Sequence, residues 1–156
     1  MSTFAPEIKL KLPAGRRVRV AVVSTLWNSH IVGRLSEGAH STLLEAGVAE
    51  EDIVHVRVPG AVELTYAAAR LVHSRTVDAV VMLGCVIRGD TPHFDYVCDS
   101  VTQGMTALNL LGTVPVTFGL VTVNTEAQAH DRAGGVVGNK GAEAAEAAVA
   151  MLLLEI

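Results

Sequence analysis

The chain has 156 residues, a length that predicts one domain burying close to about 70% of the surface its unfolded form exposes, with no need of disulfides or metals as staples. Half of the residues are hydrophobic, 18% are charged and 4% aromatic, which excludes a disordered chain and points to a packed, Ala- and Val-rich domain. Twelve basic against sixteen acidic side chains give a formal charge of −4, a balance that disfavours nucleic acid or a membrane surface as partner while leaving room for one local basic pocket.

Residues 1–15 alternate at Ile8-Lys9-Leu10-Lys11-Leu12 before Pro13 and Gly15, which predicts an arm or short edge strand outside the core and leaves 16–156 as one domain. Arg17 to Ser24 turns from alternation into a continuous β-branched run and is the first expected strand. From His30 to Gly47 the apolar residues Ile31, Leu35, Ala39, Leu43 and Ala46 recur at helical spacing, and Gly47 supplies a stop. The pattern then repeats: a strand over Ile53 to Val58, a helix over Ala61 to Ser74, a buried strand over Asp78 to Ile87. A helix over Phe94 to Leu111, a strand over Val114 to Val121 and helices over Thr125 to Ala133 and Asn139 to Leu154 complete the chain. Such alternation predicts an α/β fold with a four-stranded parallel sheet, right-handed crossovers and helices on both faces.

Two cysteines, Cys85 and Cys98, form neither a disulfide framework nor the paired spacing of a zinc site and are expected as reduced, mostly buried thiols. The longest nearly apolar run, Ala79 to Ile87, is too short to span a bilayer, and the N-terminus lacks a basic segment followed by an apolar core; a cytoplasmic protein is expected.

Ligands of doubly wound sheets bind beyond the carboxyl ends of the strands, so the loops there carry the chemistry. After the first strand comes Trp27-Asn28, with the chain's one tryptophan; its ring either packs on the sheet edge or offers a platform to a planar ligand. After the second comes Pro59-Gly60-Ala61-Val62-Glu63, where Glu63 either complements the helix dipole or accepts from ring N–H donors. The third loop, Gly84-Cys85-Val86-Ile87-Arg88-Gly89-Asp90-Thr91-Pro92-His93, combines a glycine turn before a helix, suited to phosphate, with a histidine able to move protons near neutrality. Asp90 fits beside an anion only with its side chain turned away. The fourth strand is expected to end near Phe118-Gly119, and Arg132 and Lys140 further on supply positive charge, either for a phosphorylated ligand or as helix C-terminal charges. Residues 134–141 are not a Walker loop, no GxGxxG follows the first strand, and the six histidines show no ligand pair at helical or strand spacing. Metal and nucleotide-cofactor readings fall away.

Trp27-Asn28, VPGAVEL (58–64), GCVIRGDTPHFDYVC (84–98), PVTFG (115–119), Gln128-Ala129 with Arg132-Ala133-Gly134, and GNKGAEAA (138–145) resemble the lumazine synthases of riboflavin biosynthesis over about residues 18 to 154. The resemblance implies a flavodoxin-like three-layer α/β/α sandwich, no cofactor and no metal. It implies condensation of 5-amino-6-(D-ribitylamino)uracil with 3,4-dihydroxy-2-butanone 4-phosphate. Carried over residue by residue, Trp27 stacks on the pyrimidine; Asn28, Ala61, Val62 and Glu63 line the uracil and ribityl site beside Val86 and Ile87; Gly89, Asp90 and Thr91 bind phosphate; and His93 transfers protons. Phe118, Arg132 and Lys140 come from the adjacent subunit, with Arg132 acting at the phosphate and in catalysis. The implied assembly is a homopentamer or a shell of twelve pentamers, with riboflavin synthase as a further partner. Three departures stand out: Thr65 where the family often has proline, Ala127 where an acid usually precedes Gln128, and Asp90 where many relatives have a small residue. The alternatives are a catalytically weak shell-forming homologue and a flavin- or lumazine-binding module.

Overall fold

The β-branched run of the first strand has no polar face to turn to water. In the computed structural model, which describes residues 10–155, it takes an interior place in the sheet, and all six residues of β1, Val20–Thr25, are buried. There follow α1 (Ser29–Glu45), β2 (Ile53–Val58), α2 (Ala61–Ser74), β3 (Ala79–Ile87), α3 (His93–Leu110), β4 (Val116–Val123), α4 (Glu126–Arg132), a hairpin of β5 (Ala133–Gly135) and β6 (Gly138–Asn139), and α5 (Lys140–Leu152). The four long strands are parallel in the order β2-β1-β3-β4. Successive residues of β1 feed two separate cores, as the strand period of two requires. Val20 and Val22 pack with Leu35 and Leu43 of α1 and Ala145 and Ala148 of α5. Ala21 and Val23 pack with Leu64 and Ala68 of α2 and Val101 and Leu108 of α3. The result is the expected three-layer α/β/α sandwich.

β4 departs from the expected range by two residues, and the shift moves a predicted site residue. Pro115 has no N–H to give, pairing begins at Val116, and burial of Val121 and Val123 carries the strand on to Val123. Phe118 therefore lies mid-strand opposite Met82 rather than at the strand's end. Residues 1–9 of the expected arm lie outside the described residues. Of the remainder, Leu10 and Leu12 are partly buried against the α1–α5 core, and the Leu12 N–H donates to the Ala46 carbonyl at 2.9 Å, so these two side chains do not stay outside the core as expected.

The GNKG segment is a packing joint. Asn139 caps α5 by accepting from the N–H groups of Gly141 and Ala142 (2.9 and 3.1 Å), and its own amide donates to the Arg34 carbonyl of α1 at 2.9 Å. Gly141 brings α5 so close to α1 that a Cβ there would collide with the Leu35 carbonyl oxygen. Backbone cannot yield as a flexible side chain can, so Gly141→Ala should destabilise the fold by at least about 1–3 kcal/mol. Chemical denaturation measures it, and an unchanged midpoint would mean that α1 and α5 separate at no cost. On the other face Thr65 packs against Gly104 of α3, where a Cβ would overlap it. Its buried hydroxyl has no hydrogen-bond partner among the described residues.

Candidate active site

Strand order reverses between β1 and β3, because β1 leads through α1 to β2 on one side and β3 leads through α3 to β4 on the other. The crevice at their carboxyl ends is the switch point where such sheets bind ligands. Asn28 spans it. Its backbone is left-handed (φ 56°, ψ 40°), a conformation that asparagine tolerates better than most residues, and its amide Nδ2 donates to the Cys85 carbonyl of β3 at 2.9 Å. The Asn28 Oδ1 and the second N–H of Nδ2 are not used in that bond. The preceding residues are tied down as firmly: Leu26 and Trp27 donate from their N–H groups to the carbonyls of Val58 and Pro59 (2.8 and 3.2 Å), and the Thr25 hydroxyl donates to the Trp27 carbonyl at 3.1 Å. With its backbone fixed, the Trp27 side chain is 75% exposed. It is not packed on the sheet edge.

A cavity of about 530 Å³ opens there, within the usual range for small-molecule sites. Trp27 and Asn28 form one wall; Ala61, Val62 and Glu63, in the first turn of α2, form another. Glu63 does what a first-turn carboxylate does for a helix, its Oε2 accepting from the Gly60 N–H at 2.9 Å. Its second oxygen is not used in that bond. The third wall runs from Cys85, Val86 and Ile87 through Gly89 and Thr91 to His93. Burial, helped by the charge of Glu126, pushes the Cys85 thiol up to about 11, so it faces the cavity as a neutral, chemically quiet group. His93 is the first residue of α3, exposed, with its backbone N–H 3.4 Å from the Thr91 hydroxyl. A helix start of this kind directs unpaired N–H groups outward, the property that receives an anion.

Arg88 holds this loop in place, a role that the sequence reading did not assign. Its guanidinium forks onto both Asp95 oxygens (2.9 and 3.3 Å), donates from Nε to Asn124 Oδ1 at 3.2 Å and lies 4.2 Å from the centroid of the Phe94 ring. Its backbone N–H donates to the Val123 carbonyl at 2.8 Å. Loop, first turn of α3 and end of β4 are thereby joined through one side chain. The i, i+7 spacing of Arg88 and Asp95 across a loop and a helix start was the only signal, and it has no regular period.

Ten of the predicted site residues line the cavity: Trp27, Asn28, Ala61, Val62, Glu63, Val86, Ile87, Gly89, Thr91 and His93. Asp90 sits exposed beside it in the same loop, while Phe118, Arg132 and Lys140 do not line it. Phe118 projects from the edge strand β4, 39% exposed. Arg132 ends α4, donating to the Gln128 carbonyl at 3.1 Å, and so keeps its alternative reading as a helix C-terminal charge. Lys140 opens α5 rather than closing a helix, which removes that reading for it, and its ammonium contacts both Glu143 oxygens (2.9 and 2.7 Å).

The family model described as 6,7-dimethyl-8-ribityllumazine synthase matches residues 17–155. The chain belongs to that family. A 6,7-dimethyl-8-ribityllumazine synthase of Porphyromonas gingivalis is 52% identical over 144 residues, covering 92% of this chain and 89% of its own. Another, of Micrococcus luteus, is 50% identical over 149 residues, covering 94% and 89%. The matched region takes in every residue of the cavity. No helix among the described residues is long and apolar enough to cross a membrane.

Proposed function

We infer that the chain is a transferase that condenses 5-amino-6-(D-ribitylamino)uracil with 3,4-dihydroxy-2-butanone 4-phosphate to 6,7-dimethyl-8-ribityllumazine, releasing phosphate and water in riboflavin biosynthesis. One observation carries it: the cavity at the β1/β3 crevice unites an exposed indole, a partly committed carboxylate and a histidine at a helix start. The Trp27 ring stacks on the pyrimidine, and the Asn28 Oδ1 and second Glu63 oxygen accept from its N–H groups or from ribityl hydroxyls. Ala61 and Val62 offer backbone N–H groups, and Val86 and Ile87 form the apolar floor. The phosphate of the ketone lies against the backbone of Gly89 and Asp90 and the Thr91 hydroxyl, with the Asp90 carboxylate turned to water. His93 carries protons as the 5-amino group and the ketone lose water to form an imine, phosphate leaves by elimination, and the ribitylamino nitrogen closes the ring with loss of a second water. Two reactive molecules held in register need little more.

Phe118, Arg132 and Lys140 reach the cavity of an adjacent subunit, which makes a homopentamer the smallest working unit and a shell of twelve pentamers the larger form. Exposure of Tyr66, Tyr96, Leu110 and Val136 in the isolated chain supports association. The enzyme works in the cytoplasm, with riboflavin synthase as the partner that takes its product. Mixing the purified protein with both substrates should yield fluorescent lumazine and one phosphate per turnover; no product, with the assembly intact, would end this reading.

Since no other tryptophan is present, emission reports the Trp27 site directly. It should change saturably with the ribitylaminouracil and stay flat with the ketone phosphate alone. Stacking contributes about 0.5–1.5 kcal/mol beyond burial, so Trp27→Ala should weaken uracil binding by at least about 2- to 13-fold, with Trp27→Phe nearly neutral. A flat signal at uracil concentrations that support turnover would remove Trp27 from the site.

A further inference from the structure

Outside the cavity, α1 and α4 bring together three side chains able to bind a metal: His30, Glu126 and His130. The His30 Nε2 lies 2.6 Å and the His130 Nε2 3.8 Å from the same Glu126 oxygen, and one ligand atom from each residue lies within 4.8 Å of the others. Sequence spacing concealed the cluster, because only Glu126 and His130 are neighbours on one helix while His30 comes from the start of α1. We propose that His30, Glu126 and His130 form a binding site for a borderline divalent cation of the zinc class, which would staple α4 to α1.

Two imidazoles and a carboxylate are the donor set that favours zinc and its late first-row neighbours over magnesium or calcium. Zinc bound at about 2.0–2.2 Å to each donor sets them roughly 3.0–3.5 Å apart, so the His30–Glu126 pair opens while His130 moves in. The observed spacings need shifts of about an ångström, available to side chains that are all about half exposed. Water completes the shell. Without a metal the cluster is a set of exposed polar contacts, which contribute little to stability. The histidines differ in their second nitrogens. That of His130, Nδ1, lies 3.5 Å from Nη1 of Arg34, an arrangement in which the arginine donates and the ring accepts. A metal on the His130 Nε2 reverses this, leaving Nδ1 with a proton that faces the guanidinium, so Arg34 opposes the ion. α4 also ends in Arg132, so an ion that fixes α4 to α1 bears on the element holding that cation.

The test is calorimetric titration of the full-length, chelator-treated protein, without appended histidines, with zinc chloride and with magnesium chloride. One zinc per chain should bind, with no magnesium signal. The His30→Gln/His130→Gln pair should lower zinc affinity by at least about tenfold, the low end of what even outer partners contribute to metal sites. Arg34→Gln should tighten it, because it removes the opposing charge and leaves the Arg34 carbonyl that Asn139 uses. A second cluster, His40 with His55 and Glu50, is the internal control, and His55→Gln should leave the zinc isotherm unchanged. No zinc binding, wild-type affinity in the double variant, or loss of the signal in His55→Gln would overturn the proposal.

Discussion

Replacing His93 by Ala should slow turnover by roughly 10- to 1000-fold while both substrates bind nearly as in the wild type. The range is set at and below the usual contribution of a general acid–base group, because an arylamine and a ketone condense readily once held together. The geometry separates binding from proton transfer. The backbone of α3 starts from Pro92, whose carbonyl accepts from the Asp95 N–H at 2.9 Å, and Arg88 fixes the same turn through Asp95 and Phe94. Neither attachment uses the imidazole, so loss of the ring should leave the anion-facing backbone where it is. Steady-state rates with each substrate varied in turn would measure both quantities. Activity within twofold of wild type would make His93 an ordinary surface residue, and a large rise in the KM of the ketone phosphate with unchanged kcat would make it a binding group.

The parts of this molecule that were legible in the sequence are those with a period. A β-branched run marks β1 and a nearly apolar run marks β3, and the apolar repeat of α1 picks out Ile31, Leu35, Ala39 and Leu43, all fully buried. Residues without a period were harder to place. Strands as short as Ala133–Gly135 and Gly138–Asn139, three of their five residues glycine, carry no alternation, and the sequence pattern assigns only their outer residues, Ala133 and Asn139, to the neighbouring helices. The expected range of β4 runs two residues early because Val114 is β-branched, yet Pro115 has no N–H to enter the ladder. In the site, Trp27, Glu63 and His93 were visible because each follows a strand end, where a parallel sheet presents its loops. Arg88 lies in that very loop but carries no periodic sequence signal of its role, since its partners Asp95, Phe94 and Asn124 become neighbours only after α3 and β4 pack. Phe118, Arg132 and Lys140 are a different case. They do not line the cavity at the β1/β3 crevice, and no period within one chain marks residues whose proposed site lies on an adjacent copy.

The proposed shared site makes its own prediction. Arg132→Ala should lower kcat/KM for the ketone phosphate by about 10- to 150-fold, the equivalent of roughly 1.5–3 kcal/mol for a charged hydrogen bond, and leave affinity for the uracil nearly constant. Arg132→Lys should recover only part, because a point charge cannot reproduce the planar fork. The decisive form of the experiment refolds Arg132→Ala chains together with an equal amount of His93→Ala chains. If each site takes His93 from one subunit and Arg132 from its neighbour, random placement around a ring makes about one site in four native in both residues, and the mixture should regain about a quarter of wild-type activity although each variant alone is far below that. The placement suits such exchange: His93 heads α3 and is exposed, and Arg132 ends α4, half-buried with its guanidinium on the Gln128 carbonyl. A site closed within one chain behaves otherwise, for every chain in the mixture then carries a defect and the activity stays at the mean of the two variants. That outcome, or an active monomer in light scattering, would return Arg132 to the C-terminal charge of α4 and leave the phosphate to the Gly89 loop alone.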